Sequence, residues 1–189
     1  MSSIKLTSDT LNVTPGPGEI EYNGQFFATD SASSRAQMIR LSQQTSITAN
    51  AIHNEFLNIP AWVKRITFGF NSVQSPATQP ILQLGTSSAY ETTGYAGGVN
   101  GNNVSTGFAP WGSQTTNTVP FSGAVVITLV DASTNMWSEM GVTTNSTNGN
   151  THAGGGTKLL PGILTRIRLT TAAGTAAYNG GTVSVLYEG

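Results

Sequence analysis

Hydrolytic chemistry needs side chains that move protons: two carboxylates held close together, or a nucleophile with a base beside it. Between residues 59 and 189 the carboxylates are Glu91, Asp131, Glu139 and Glu188. Their spacing forms no motif, and each reads as a solvent-exposed turn or strand-end residue. A triad would draw on His53 or His152. His152 lies in NGNTHAGGG, which reads as a mobile loop and positions a base poorly. No G-x-S-x-G elbow, P-loop or H-E-x-x-H occurs. The chain has no cysteine, which excludes disulfides and thiolate-ligated zinc. NGNNVS at 100–105 and NSTNGN at 145–150 have the polarity of calcium loops without the carboxylates that a hard cation requires. Neither catalysis nor a metal or cofactor is expected.

Recognition is better supported. Between Gly85 and Phe121 the sequence reads as one long loop rich in Gly, Ser, Thr and Asn that carries Tyr90, Tyr95, Phe108 and Trp111. Aromatic faces among adaptable polar groups suit sugar binding. The same four rings also suit a simpler role, capping a sandwich or packing against a neighbouring subunit, and that role is favoured. Lys64 and Arg65 follow Trp62 at a strand start, and Arg166 and Arg168 alternate in ILTRIRLTT. Together they would line a basic face. The plainer reading is solvated strand residues, or ion pairs with Glu139 or Asp131 across a sheet.

The elements that must carry these residues read as strands. Charged residues make up only 9% of 189, and the formal net charge is −1. Nucleic-acid binding needs clustered Lys and Arg, which this balance does not provide. No apolar run approaches the length of a membrane span. Gly, Ser, Thr and Asn replace the missing charges and suit pleated strands and tight turns. WVKRITFGFNSV alternates, with Ile66, Phe68 and Phe70 on one face. SGAVVITLVD is apolar on both faces, through Val125, Ile127 and Leu129 against Val126 and Val130, as in a strand in the middle of a sandwich or at a subunit interface. ILTRIRLTT sets Ile163, Thr165, Ile167 and Leu169 against Arg166 and Arg168. TVSVLYEG puts Val183, Val185 and Tyr187 on one face. Upstream, EIEY and QFFATD flank Asn23-Gly24, a hairpin signal over residues 19–30. A strand is expected near 37–41. TANAIHNEFLNIP fits either a helix through Ala49, Ile52, Phe56 and Ile59, or a strand followed by a loop. The expected fold is all-β: a β-sandwich or jelly roll over 59–189, preceded by a hairpin-containing extension over 1–58.

IPAWVKRITFGFNSV, then QLG, ETTGY, TRIRLTT and a terminal GGTVSVLYEG, together resemble the C-terminal domains of phage tail fibres and tailspikes. TPGPGEIEYNGQFFATDSASSR is similar to a short module that precedes such domains in phage adhesins. The resemblance implies a homotrimeric β-sandwich on the virion surface. It carries over no catalytic residue. Read as a complete product from Met1, the chain has no shaft and no tail-attachment domain. The expected form is therefore a trimeric capsid decoration (cement) protein, whose N-terminal segment, residues 1–58, serves trimerisation and attachment to the major capsid protein. A receptor-binding tail tip that touches host surface polysaccharide through Tyr90, Tyr95, Phe108 and Trp111 is the alternative.

Overall fold

The computed structural model describes residues 14, 17, 19–22, 26–29, 35–37, 41–116 and 118–189. Among these the chain is strand, turn and loop, without helix. It divides into two compact units, Met1–Arg40 and Leu41–Gly189. The division falls between Arg40 and Leu41, upstream of the boundary at 58/59 read from the sequence. Residues 41–57 contribute two strands to the larger unit.

In the smaller unit, β1 (Ile20–Tyr22), β2 (Phe26–Thr29) and β3 (Arg35–Gln37) form an antiparallel sheet in that order. The expected hairpin is there. Tyr22 pairs with Phe26, so three residues separate the strands, whereas a type I′ turn takes two. The connecting residues, Asn23 and Gly24 among them, lie outside the described residues.

The larger unit holds two sheets. The first contains β4 (Leu41–Thr48), β6 (Arg65–Gln74), β8 (Tyr95–Val99), β9 (Asn102–Asn103), β10 (Pro120–Asp131), β11 (Met136–Asn145), β12 (Thr151–Leu159) and β14 (Thr182–Glu188). Their order is β4-β14-β6-β10-β11-β12-β8-β9, antiparallel throughout. The second contains β5 (Asn54–Leu57), β13 (Arg166–Thr171) and β7 (Pro80–Gly85), ordered β5-β13-β7. The two sheets pack face to face, sandwich-like.

Period-two alternation builds the core between them. Ile66, Phe68 and Phe70 of β6 are buried, as are Val183, Val185 and Tyr187 of β14. From the other sheet Phe56, Leu82, Leu84, Ile167 and Leu169 face them. Phe56 meets Phe68 edge-to-face at 5.6 Å between centroids, joining the two layers.

Several sequence expectations change. The helical option for residues 48–60 is not taken: Asn54–Leu57 is strand, with Asn54 and Phe56 inward and Ile52 exposed. β10 is not covered on both faces within this chain. Val125 and Ile127 are buried, but Val130 is 54% exposed at a bulge between Leu129 and Asp131. Ile163 is exposed and Leu164 buried, because strand alternation begins only at Arg166. The segment from Gly85 to Phe121 is not one loop. It contributes β8 and β9, joined by Asn100-Gly101, both at positive φ, as a two-residue I′-type turn requires.

Phe68→Ala should remove the inter-layer contact at the centre of the core. We expect a loss of about 3–5 kcal/mol of stability, as for other buried Phe truncations, measured by urea unfolding.

Candidate functional site

Three strands leave part of an eight-stranded sheet uncovered, and residues 104–112 fill the gap as a strap. Its first half runs along β7: Phe108 and Leu82 exchange both backbone hydrogen bonds, at 2.9 and 2.7 Å. Gln83 donates from Nε2 to the Thr106 carbonyl at 2.8 Å. Its second half lies on β11 and β12, where Thr143 Oγ1 donates to the Pro110 carbonyl at 2.8 Å. Glycine makes the approach possible there. A Cβ on Gly154 would sit 3.0 Å from the Ala109 carbonyl oxygen.

The strap determines where the four expected ligand-binding rings lie. Trp111 is fully buried, stacked on Phe121 at 4.8 Å and edge-on to Phe70 at 5.1 Å. Phe108 and Tyr95 are also buried and meet edge-to-face at 5.0 Å. The Tyr95 hydroxyl accepts from Leu84 N–H at 2.8 Å and donates to the Glu91 carbonyl at 3.2 Å. These three rings are buried in the core, as the capping role expects. Tyr90 stands apart. It is half-buried on the outer face of the small sheet, with the Arg168 guanidinium 4.2 Å and that of Arg166 5.6 Å from its ring centroid. Burial first, and then the Glu55 carboxylate, push its hydroxyl well above the ordinary phenol range.

The basic residues do not form one face. Arg65 belongs to the large sheet and pairs with Glu188 at 3.4 Å, not with Glu139 or Asp131. Arg166 donates to the Ser87 carbonyl at 2.8 Å and Arg168 to Gln83 Oε1 at 2.9 Å, both on the small sheet. Beside Ser87 opens a shallow groove lined by Thr86, Ala89, Glu91, Pro161 and Ile163.

The carboxylates separate into four environments. Asp131 accepts from Ser133 and Thr134 in its own turn, and those bonds hold it below its usual range. Glu188 has Arg65. Glu91 meets Lys158 Nζ at 3.1 Å, and that ammonium, buried, also donates to the Thr93 carbonyl at 2.8 Å. Glu139 corrects the expectation of exposure. It is 3% exposed on the inner face of β11, its Oε1 has no hydrogen-bond partner among the described residues, and burial pushes its carboxyl up to about 8. The alternation that turns Trp137 and Thr143 inward turns Glu139 inward too, a placement legible in WSEMGVTT.

His152 also departs from the mobile-loop reading, since it belongs to β12. Its Nδ1 accepts from the Gly112 N–H at 3.2 Å and from Asn100 Nδ2 at 3.0 Å. A backbone N–H can only donate, so the ring proton sits on Nε2 and the imidazole is neutral. Burial lowers its pKa. His53 lies elsewhere, with Nδ1 2.9 Å from Thr170 Oγ1. The polar stretches with the look of calcium loops are turns. Asn145 Oδ1 accepts from Thr147 N–H, and Asn148 Oδ1 from Asn150 N–H. Among the described residues no three His, Asp or Glu side chains cluster as metal ligands.

Set against known proteins, the chain matches no family model, no curated protein and no solved structure.

The buried carboxyl makes stability depend on pH. Below the ordinary carboxyl range both folded and unfolded chains hold the Glu139 proton. From there to about 8 only the folded chain keeps it. Stability should therefore fall as pH rises across that window and level off above it. Glu139→Gln should flatten this slope, which urea unfolding at a series of pH values would read.

Proposed function

We propose that this chain is a structural protein of a bacteriophage particle, a homotrimeric decoration (cement) protein on the capsid exterior. The observation that carries the reading is a wide sheet face that leaves apolar side chains exposed. The outer face of the large sheet bears Val126, Val130, Met136, Met140, Val142 and Leu159, four of them more than half exposed. Solvated antiparallel faces ordinarily alternate to polar side chains. The segments that resemble phage fibre domains supply the frame of the same sandwich. WVKRITFGF enters β6, TRIRLTT forms β13 and TVSVLYEG forms β14. Glu91, Asp131, Glu139, Glu188, His53 and His152 are occupied by turns, ion pairs, hydrogen bonds or burial in separate places, which favours a role without catalysis. Reinforcement of a shell by many copies requires only modest free energy at each contact.

The second reading, a receptor-binding tip for host polysaccharide, keeps one of its rings. Tyr90, with Arg166 and Arg168 and the groove beside Ser87, would be the contact point. Tyr90→Ala should abolish binding to host cells while leaving the fold intact if that reading holds. Trp111→Ala should instead cost about 3–5 kcal/mol of stability whichever reading holds.

Copy number per purified virion, from quantitative mass spectrometry against the major capsid protein, tests the main reading. A ratio of the same order as the capsid protein is expected. A handful of copies would move the chain to the tail, and none would overturn the assignment.

A further inference from the structure

We infer that the outer face of the large sheet is the surface through which copies of this chain associate with one another. The inference rests on the assembly role proposed above and names the partner of that face as the chain itself.

The face can be read row by row across the ladder. One row runs Leu186, Thr67, Val126, Met140, Gly155 and Gly98. The next runs Ser184, Gly69, Ala124, Val142 and Ala153. A third runs Thr128, Ser138, Thr157 and Ala96. Toward the turn between β10 and β11, Val130, Met136 and Leu159 add an exposed apolar end. Among the described residues, charge appears on this face only at two margins. Arg65 and Glu188 neutralise each other at 3.4 Å, and Asp131 is turned into its own turn by Ser133 and Thr134. The adjoining β4 sequence, LSQQTSIT, holds no charged residue.

Area and chemistry select the occupant. Five strands about 4.8 Å apart, each some ten residues long at about 3.4 Å per residue, give a face of roughly 800 Å², the share of one partner in a standard stable interface. A polysaccharide would call for aromatic platforms, and these rows hold none. A charged partner would call for an opposite field, and the rows supply none. The surface that complements a neutral layer of methyl, thioether and hydroxyl groups is another of the same kind. A second copy presents one without like-charge repulsion, and around the closed three-fold axis of the trimer proposed above each copy can turn this face toward its neighbours.

Sedimentation of the full chain tests this. The wild type should be oligomeric at micromolar concentration. Met140→Asp combined with Val142→Asp should weaken association by at least about tenfold, whereas Leu57→Asp, on the exposed side of the other sheet, should not. A monomeric wild type, or a double variant that stays oligomeric, would overturn the inference. Should the double variant fail to fold, thiol labelling decides, since the chain has no cysteine of its own. Met140→Cys should label at least about tenfold more slowly than Leu57→Cys in the oligomer, and equal rates would overturn the proposal. Protection of the Met140→Cys thiol in a monomer would mean that the chain's own residues or another partner cover the face, which also counts against it. An oligomer that depends on Met140 but is scarce in virions would keep this interface and remove the capsid role.

Discussion

Three strands cannot cover eight. The small sheet β5-β13-β7 shields the core beneath β14, β6 and β10, and the inner faces of β11, β12 and β8 are left to something else. The strap of residues 104–112 is that cover, and much of the larger unit depends on it. It needs glycine beneath it in β12, a bonded edge of β7 beside it and a ring large enough to close the gap. Trp111 is that ring, fully buried between Phe70 and Phe121. The polar fittings follow from the same need. Gln79 bonds the Trp111 carbonyl at 2.6 Å, Thr143 bonds Pro110, and His152 holds the amide of Gly112.

This arrangement explains why a loop of aromatic and small polar residues, the composition of a recognition surface, serves largely as interior. Composition reports which side chains are present but not which way a strap is turned. Tyr90 escapes because it precedes the strap, on the far side of the small sheet, where two arginines two residues apart on β13 reach it from the same face.

What was legible in the sequence was periodicity. β6 and β14 alternate so regularly that their inward residues are readable without a structure, and the Asn-Gly pair marked the first hairpin. Asn100-Gly101 carries the same signal, masked by the surrounding asparagines, which suggest a polar loop. Short or broken strands are harder. Ile163 and Leu164 exchange places because a turn, not a strand, sets their direction. Glu139 is misread when charge outweighs register, although Trp137 two residues earlier already points inward. The aromatic cluster was legible as a group, but its burial depends on a tertiary contact with β7 that no local pattern encodes. The resemblance to phage fibre domains adds the expectation of a trimer in particular, a copy number that no local pattern encodes.

The position of β14 has a kinetic meaning. It is the last strand in the chain order, yet it lies between β4 and β6 and, among the described residues, supplies the sole ladder partner of β4. During synthesis β4 emerges early and waits, its backbone groups unpaired, while well over a hundred residues follow. Pairings this distant in sequence fold slowly, and an idle strand edge is open to wrong partners in the meantime. The large sheet therefore cannot be completed until its last strand is made, and a chain halted before residue 182 would, among the described residues, hold β4 without its ladder partner.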